Sequence, residues 1–507
     1  TKERLMKKIA ILLIITSSFV FAQNTNVPDA KFEQALIDLG YDTTLDNYVL
    51  TANISGVTTL DVHGKEISDL TGIEAFTSLT ILTCNDNQLT SLDVTANTAL
   101  LELRCYTNKL TNLDVSKNTA LTYLDCYGNY LTSLDVTANT ALTYLDCGYN
   151  HRLLASLDVS ANTALTYLRC HDNKLTSLDV SANTALIEIM CQENQLTSLD
   201  VSKNTALISL QFQSNQLTSF DVSKNTALTY LNIGDNKLTS LDVSKNTALT
   251  YLHCYNNQLT SLDVSANTAL TNLKCSNNKL TSLDVSKNTA LTKLKCWENQ
   301  LTSLDVSKNT ALNELQCWKN QLTSLDVSKN KALSYLSCEE NQLTSLDVSS
   351  NTTLTYLECG GNQLTSLNMR NGVTDLLTIF DATNNPNLTC IEVLDPAWAT
   401  ANWTSAKENI DAGVTFTYIC GVDVDGVSTY NNNGIKAITF NVELPTHSLP
   451  DTDISLGFWK SGAENHECTG CNGRDTVSMR KLSDDHWEAT VGLDTTLVAN
   501  GETGESQ

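Results

Sequence analysis

A unit of 21 residues returns fourteen times between Leu79 and Gln363, and it constrains the fold of this 507-residue chain more than any other feature. Its skeleton reads L-x-x-L-x-C-x-x-N-x-L-x-x-L-D-V-S-x-N-T-A, as in residues 249–269. A unit this short cannot enclose a hydrophobic core alone, so each copy must bury its leucines against the copies beside it. The sequence therefore predicts a stack of similar coils rather than an irregular globule.

The first part of each unit predicts a strand. There, leucine and cysteine alternate with variable residues at period two, so that one face of the strand is buried and the other is open. The skeleton resembles that of the leucine-rich repeat family, L-x-x-L-x-L-x-x-N/C-x-L. The resemblance implies a leucine-rich repeat solenoid, a stack of parallel β-strands with a short helix in an N-terminal cap. Strands about 4.8 Å apart would make the array about 60 Å long.

The N-terminal segment predicts export. Lys7 and Lys8 precede an apolar run from Ile9 to Ile15 that is too short to span a bilayer, which is the layout of a secretory signal peptide. We therefore expect residues 6–22 to be a signal peptide, preceded by upstream residues 1–5. The mature protein is then expected to be secreted or held at the cell surface, with no segment inserted in the membrane.

Two further segments flank the repeats. Before them, Ala30 to Leu39 has a helical pattern, with Asp29 at the N-cap position and Gly40 behind it. After them, a second segment runs from Asn384 to Cys420. This order of segments and repeats resembles that of secreted bacterial proteins of the internalin type. The resemblance implies a cap on each open end of the stack.

The chain beyond the repeats predicts a second, β-rich module. Strand candidates run over residues 437–444, 454–459, 477–482 and 487–493. Their order resembles the first strands of starch- and glycogen-binding modules. The resemblance implies an incomplete immunoglobulin-like β-sandwich, with Trp459 as the candidate sugar platform. The expected division is 1–5 upstream, 6–22 signal peptide, 23–78 N-terminal cap, 79–367 repeat array, 368–421 C-terminal cap, 422–434 linker and 435–507 partial β-sandwich.

Four cysteines lie outside the repeats. In an exported protein such cysteines predict disulfides, although Cys468-Thr-Gly-Cys471 would also suit half of a zinc site. No second cysteine pair of that spacing accompanies it, so we expect no metal site. The candidate disulfide cysteines are Cys390, Cys420, Cys468 and Cys471.

Three residue types recur at fixed positions and would form ladders along the stack. Cysteine fills one buried position in twelve units, but Phe212 and Ile233 replace it in the other two, so the position requires apolar volume rather than a thiolate. A metal wire or a disulfide zipper is the alternative.

Two asparagines per unit predict hydrogen bonds to the backbone of neighbouring coils. Thirteen aspartates, from Asp93 to Asp347, must be solvated or compensated, and calcium bound along them is a second interpretation.

The outward strand positions vary, while the rest of the unit hardly changes, so the open face of the sheet is the candidate ligand-binding surface. In the family this face is concave and is the one where ligands usually bind. Trp297 and Trp318 fall on adjacent strands among lysines, and such a cluster on an acidic protein indicates an anionic ligand. Stacking of the aromatic residues merely to stiffen the sheet is the alternative. The candidate ligand-binding residues are Tyr251, His253, Tyr255, Lys274, Lys295, Trp297, Gln316 and Trp318.

The sequence contains no nucleophile elbow, phosphate-binding loop or paired zinc motif, so we expect no enzyme, no catalytic residue and no cofactor. The formal charge of −24 argues against nucleic acid and acidic membrane surfaces as partners. We expect a monomer whose concave face binds a protein or a polysaccharide. The alternative is a polysaccharide-capture accessory protein, in which the C-terminal module binds sugar and the solenoid is a spacer.

Overall fold

The computed structural model describes residues 23–420 and, beyond them, the backbone of six short strands between residues 423 and 492. Within 23–420, sixteen three-residue strands form one parallel sheet, which we call the inner sheet. This confirms the predicted leucine-rich repeat solenoid. The strands are Thr59–Asp61, Ile81–Thr83, Glu102–Arg104, Tyr123–Asp125, Tyr144–Asp146, Tyr167–Arg169, Glu188–Met190, Ser209–Gln211, Tyr230–Asn232, Tyr251–His253, Asn272–Lys274, Lys293–Lys295, Glu314–Gln316, Tyr335–Ser337, Tyr356–Glu358 and Ile379–Asp381.

The inner sheet extends past the fourteen repeats at both ends. Its first strand lies in the segment assigned to the N-terminal cap, where Leu60 pairs with Leu82 of the first repeat. Its last strand lies in the segment assigned to the C-terminal cap, where Phe380 pairs with Leu357. Both segments therefore continue the buried column of the repeats with sequences that depart from the repeat skeleton.

The helix predicted before the repeats is confirmed at Ala30–Asp38. Asp29 is its N-cap, because one carboxylate oxygen accepts the N–H of Lys31 at 2.8 Å. The other oxygen accepts the N–H and the hydroxyl of Ser68. Gly40 follows the helix with a φ of +81°, a conformation that favours glycine. One carboxylate thus starts the helix and joins it to the first coil.

The other elements of residues 23–420 are short. None of the helices described is long and apolar enough to cross a bilayer. A two-stranded antiparallel sheet lies at the N-terminus, and a second parallel sheet of four strands begins only in the last coils. The elements are the α-helices Thr51–Ile54 and Pro396–Asn402, the 3-10 helices Ile73–Ala75, Thr374–Leu376 and Ser405–Lys407, the antiparallel strands Asn24–Asn26 and Tyr48–Leu50, and the parallel strands Ser345–Asp347, Ser366–Asn368, Cys390–Glu392 and Thr415–Thr417.

A column of apolar side chains runs through the stack and forms its core. The central residue of each repeat strand and the residue two positions later have no exposed surface, as at Leu273 and Cys275. The twelve repeat cysteines are unpaired, buried thiols. Burial raises the pKa of Cys84 and Cys275 to about 12. The cysteine ladder therefore acts as packing, as the substitution by Phe212 and Ile233 indicates.

We expect the repeat cysteines to resist iodoacetamide at pH 8 in the folded protein. Alkylation requires a thiolate in contact with solvent, and here it requires an opening of the stack, so it should be at least about 1000-fold slower than in urea. The measurement is mass spectrometry of the Cys468→Ser/Cys471→Ser variant, which removes the two cysteines that lie outside the described residues. Rapid labelling without denaturant would show that the ladder is accessible.

Asparagine side chains fasten each coil to the coil before it. Asn278 donates to the carbonyl oxygen of Cys254 at 3.0 Å, and its own amide oxygen accepts the N–H of Leu259 at 3.0 Å. At the second position, Asn267 donates to the carbonyl oxygen of Val243 at 3.0 Å. The same bonds recur along the array, which confirms that both ladders are structural.

Each aspartate of the exposed ladder is held by its own turn. Asp263 accepts the N–H of Ser265 at 2.9 Å. Hydrogen bonds from the hydroxyl and the N–H of Ser265 hold the pKa of Asp263 below its usual value. At Asp284 the nearby Lys287 lowers the pKa further. The ladder is thus compensated, and within residues 23–420 no group of three or more His, Cys, Asp or Glu side chains is placed to hold a metal ion.

Past Cys420 the described backbone consists of antiparallel strands. Ala437–Glu443 pairs with both Asp423–Asp425 and His486–Gly492. Each of the four predicted strand candidates overlaps a strand, while the β-sandwich as a whole stays a prediction. Trp459, Cys468 and Cys471 lie outside the described residues. The remaining strands are Ser455–Phe458, Asp475–Ser478 and Arg480–Ser483.

Candidate functional site

The eight candidate ligand-binding residues lie on four neighbouring strands of the inner sheet or directly after them. The strands are in register, so His253, Lys274 and Lys295 form one outward row that continues to Gln316. At about 4.8 Å per strand, this row is about 14 Å long. We call the set the Trp–Lys surface: Tyr251, His253, Tyr255, Lys274, Lys295, Trp297, Gln316 and Trp318.

Two tryptophans form the aromatic centre of the Trp–Lys surface. The rings of Trp297 and Trp318 stack with centroids 4.5 Å apart and an interplanar angle of 5°. The Lys319 ammonium lies 5.1 Å from the centroid of Trp318, within the range of a cation–π contact. Both tryptophans remain partly exposed. Because each ring fixes the other, little side-chain entropy is lost when a ligand contacts them.

Tyr255 lies over a glycine of the preceding coil. A Cβ atom at Gly234 would collide with the Tyr255 ring, so the ring can lie there only because this position is glycine. The Lys274 ammonium lies 3.8 Å from the ring centroid. Burial, together with the charge of Asp235, raises the pKa of Tyr255 to about 12. The phenol therefore stays protonated and provides a hydroxyl, not a charge.

A glutamate that sequence reasoning missed neutralises part of the lysine cluster. Glu314 accepts Lys295 at 2.6 Å and Lys293 at 3.1 Å. Gln316 donates to the same carboxylate at 2.8 Å. Burial alone would raise the pKa of Glu314, but the hydrogen bonds from Lys295 and Lys293 hold it below its usual value. The sequence could have revealed Glu314 by its position, because it lies on the strand that follows the one with two outward lysines.

His253 and Tyr251 complete one edge of the surface. His253 is hydrogen-bonded at Nε2 to the side-chain oxygen of Asn272, 3.2 Å away. Burial lowers the pKa of His253, and the charges of Lys274 and Lys295 lower it further, so the ring is neutral at pH 7. Tyr251 is 41% exposed and meets His253 edge to face. This arrangement can bind a ligand by stacking and hydrogen bonding.

Four tyrosines at the same strand position as Tyr251 stack in two pairs on the inner sheet. Tyr123 and Tyr144 lie 4.2 Å apart at 3°, and Tyr335 and Tyr356 lie 3.8 Å apart at 13°. Each pair stiffens the sheet face, as one of the two sequence interpretations predicts. These contacts use ring faces that a ligand would otherwise cover.

One repeat, which begins at Leu142, contains a two-residue insertion around His151 and Arg152, and neighbouring side chains hold both residues in place. The His151 ring stacks on Tyr130 at a centroid distance of 4.2 Å. Arg152 forms ion pairs with Asp172 at 2.9 Å and with Glu193 at 3.2 Å. The insertion therefore has a definite surface next to the inner sheet.

The structure pairs two of the four candidate disulfide cysteines. Cys390 and Cys420 form a disulfide with their Cα atoms 5.8 Å apart. It closes a segment of the last coils, where Cys390 begins a strand of the second parallel sheet. The bond lies away from the Trp–Lys surface, so its role there is to hold the C-terminal end of the stack together.

Comparisons with known proteins agree with this geometry. A family model described as two copies of leucine-rich repeats matches residues 226–267. Internalin J of Listeria monocytogenes is 43% identical over 71 residues, which are 14% of this chain and only 8% of that protein. The functional domain of InlJ from Listeria monocytogenes, which includes a cysteine ladder, has a TM-score of 0.69 and 34% identity, covering 83% of this chain and 96% of that one.

A more distant structure shares the fold alone. A leucine-rich repeat protein of Leptospira interrogans has a TM-score of 0.58 and 24% identity, over 71% of this chain and 97% of that one. The similarity to the InlJ domain covers most of both chains, and both contain a ladder of cysteines. The chain therefore belongs to the internalin-like leucine-rich repeat proteins.

Proposed function

We propose that this chain is an exported, non-catalytic binding protein that recognises a protein or glycan ligand through the Trp–Lys surface. The observation that carries the proposal is the stacked pair of Trp297 and Trp318 on the inner sheet, partly exposed and bordered by lysines. Tryptophan held rigidly at a surface is a common anchor of binding interfaces. The internalin-like relatives support binding rather than catalysis as the task of the fold, and the predicted signal peptide supports export.

The charges of the surface favour an acidic protein segment as the ligand. Among residues 23–420, Lys293, Lys295 and Lys319 form ion pairs with three carboxylates, those of Glu298, Glu314 and Glu340. Lys274 forms no ion pair within 4.0 Å there, so four lysines face three carboxylates on a chain whose formal charge is −24. Each tryptophan ring covers one face of the other, so less flat aromatic surface is left for a sugar ring. A segment that combines carboxylates with apolar side chains fits both features.

Replacing both tryptophans is expected to abolish ligand binding. The two anchors together contribute at least about 3 kcal/mol, so Trp297→Ala/Trp318→Ala should weaken binding by about 100-fold or more. The measurement is a screen of the full chain against arrayed proteins and glycans, followed by titration of the hits with both proteins.

The matched control is Tyr335→Ala/Tyr356→Ala, which removes another stacked pair from the same sheet but lies outside the Trp–Lys surface. It should leave affinity within about twofold. Hits that bind the tryptophan variant as well as they bind the parent chain would place recognition elsewhere. If those hits are polysaccharides, the accessory-protein alternative replaces this proposal.

A further inference from the structure

A cluster of aromatic side chains lies beside the inner sheet, after its fourth, fifth and sixth strands. We call it the aromatic rim: Tyr127, Tyr130, Tyr149, His151 and His171. The centroid of the His151 ring lies 4.2 Å from that of Tyr130 and 5.3 Å from that of Tyr149. Tyr127 lies 5.7 Å from both Tyr149 and His171. The five rings therefore form one continuous surface that spans three coils.

The rings join because the middle coil has a glycine where its two neighbours have an aromatic residue. Gly148 occupies the repeat position that Tyr127 and His171 occupy in the coils on either side. A Cβ atom at Gly148 would collide with the ring of His171. His171 therefore lies across the middle coil and contacts Tyr127, two coils away.

The two inserted residues belong to this surface, and they disturb the coil that carries them. His151 and Arg152 adopt left-handed backbone conformations, with φ of +50° and +59°, which are unfavourable for residues other than glycine. In the regular pattern, the amide oxygen of Asn173 would accept the N–H of Leu154. That oxygen is instead buried and has no hydrogen-bond partner within residues 23–420. The insertion thus interrupts the asparagine ladder and adds a ring and a guanidinium group to the surface, which favours a role in binding rather than in folding.

The aromatic rim presents ring surface and hydrogen-bond donors. Tyr130 and Tyr149 are 37% and 43% exposed. Within residues 23–420 the hydroxyl groups of Tyr127, Tyr130 and Tyr149 form no hydrogen bond, unlike that of Tyr144, which donates to Asp146.

The carboxylates beside the rim are already engaged. Arg152 binds Asp172 at 2.9 Å and Glu193 at 3.2 Å. The rim therefore has donors to offer, few acceptors and no unpaired positive charge, and this combination restricts the chemistry of the ligand.

We propose that the aromatic rim binds a proline-rich segment of a partner protein in the polyproline II conformation. Such a segment presents apolar rings and carbonyl groups, and its prolines have no N–H, so it needs aromatic surface and donors rather than acceptors. A sugar would also require acceptors for its hydroxyl groups, and an anionic segment would require an unpaired cation. The segment is extended before it binds, so it loses little conformational entropy on a rigid surface.

This proposal does not depend on the Trp–Lys surface. That surface begins at the tenth strand of the inner sheet, and the seventh to ninth strands separate it from the aromatic rim. Each surface can therefore be removed without the other.

The test is fluorescence anisotropy of a labelled decaproline peptide titrated with the full chain. Tyr130→Ala/Tyr149→Ala should weaken binding at least about tenfold. Its matched control, Tyr335→Ala/Tyr356→Ala, removes two tyrosines elsewhere on the inner sheet and should leave affinity within about twofold. Tyr130→Phe/Tyr149→Phe keeps the rings but removes two donors, so it should weaken binding severalfold.

Deleting His151 and Arg152 separates binding from folding. The deletion restores the 21-residue length of the repeat and allows the N–H of Leu154 to reach the amide oxygen of Asn173. The urea midpoint of this variant should equal or exceed that of the parent chain, while decaproline binding falls at least about tenfold.

Four results would overturn the proposal. Decaproline that does not bind the parent chain, or that binds no better than a glycine–serine peptide of equal length, removes the ligand. A deletion variant that binds decaproline like the parent chain shows that the insertion has no part in binding. Loss of binding in Trp297→Ala/Trp318→Ala, with none in Tyr130→Ala/Tyr149→Ala, moves the ligand to the Trp–Lys surface. Maltohexaose that binds as tightly as decaproline, and is lost in the same rim variant, shows that the occupant is a glycan.

Discussion

Replacing Asn278 by alanine is expected to lower the free energy of unfolding by about 3 kcal/mol or more. The change leaves the buried N–H of Leu259 without its acceptor, and it removes donors to the carbonyl oxygens of Cys254 and Cys275. An orphaned buried N–H costs about 1–3 kcal/mol, and the lost bonds and the cavity add to it. The measurement is urea unfolding followed by circular dichroism.

Two further variants separate the hydrogen bonds from side-chain volume. Asn278→Asp keeps the shape and an acceptor for Leu259, but a carboxylate cannot donate to the two carbonyl groups and carries a buried charge. It should therefore destabilise at least as much as alanine. Lys279→Ala, one position later and exposed, should change stability by less than about 0.5 kcal/mol. A loss below about 1 kcal/mol for Asn278→Ala would mean that the asparagine ladder does not hold the coils together.

The architecture was predictable because it follows from local rules that repeat. A period-two pattern of leucine and cysteine fixes which strand face is buried, and fourteen copies leave no other way to bury it. Asp29 before an amphipathic segment was sufficient to locate the helix, because an N-cap needs a side-chain acceptor at that one position. The irregular strands at either end of the inner sheet were not predicted, since Thr59–Asp61 and Ile379–Asp381 lie outside the repeat skeleton.

The chemistry of the surface was harder to read, because it depends on contacts across coils. Listing outward residues finds Lys293 and Lys295, but only strand register shows that Glu314 sits beside both. The role of a small residue under an aromatic ring, as with Gly234 under Tyr255, also becomes visible only when successive coils are aligned. The sequence identifies residues of the Trp–Lys surface by their position within each repeat. Only the structure shows which charges of neighbouring strands neutralise one another, as Glu314 does with Lys293 and Lys295.

Replacing Asp125 by asparagine is expected to stabilise the protein at pH 8 by about 4 kcal/mol, the free energy that corresponds to a rise in pKa from 3.8 to about 7. The pKa of Asp125 rises from 3.8 to about 7 on folding, first because of burial and then because of the charge of Asp146. Above pH 7 the carboxylate is ionised in both states, so the folded state bears the full cost of that charge. Asparagine has almost the same shape and no charge.

The pH dependence of this stabilisation provides the sharper test. As pH falls from 8 through 7 towards 4, the folded parent takes up a proton that the unfolded chain still lacks, so the parent is stabilised and the advantage of Asp125→Asn shrinks towards zero. Glu339, whose pKa is raised to about 7, titrates in the same window, but both proteins contain it and its effect cancels in the difference. Asp146, whose pKa is also raised, lies next to the replaced carboxylate, so its titration is part of the measured difference. Urea unfolding of both proteins at pH 8, 7, 6 and 5 measures that difference. An advantage that stays constant from pH 8 to pH 5 would show that asparagine stabilises by packing or hydrogen bonding, and that Asp125 bears no uncompensated charge in the folded protein.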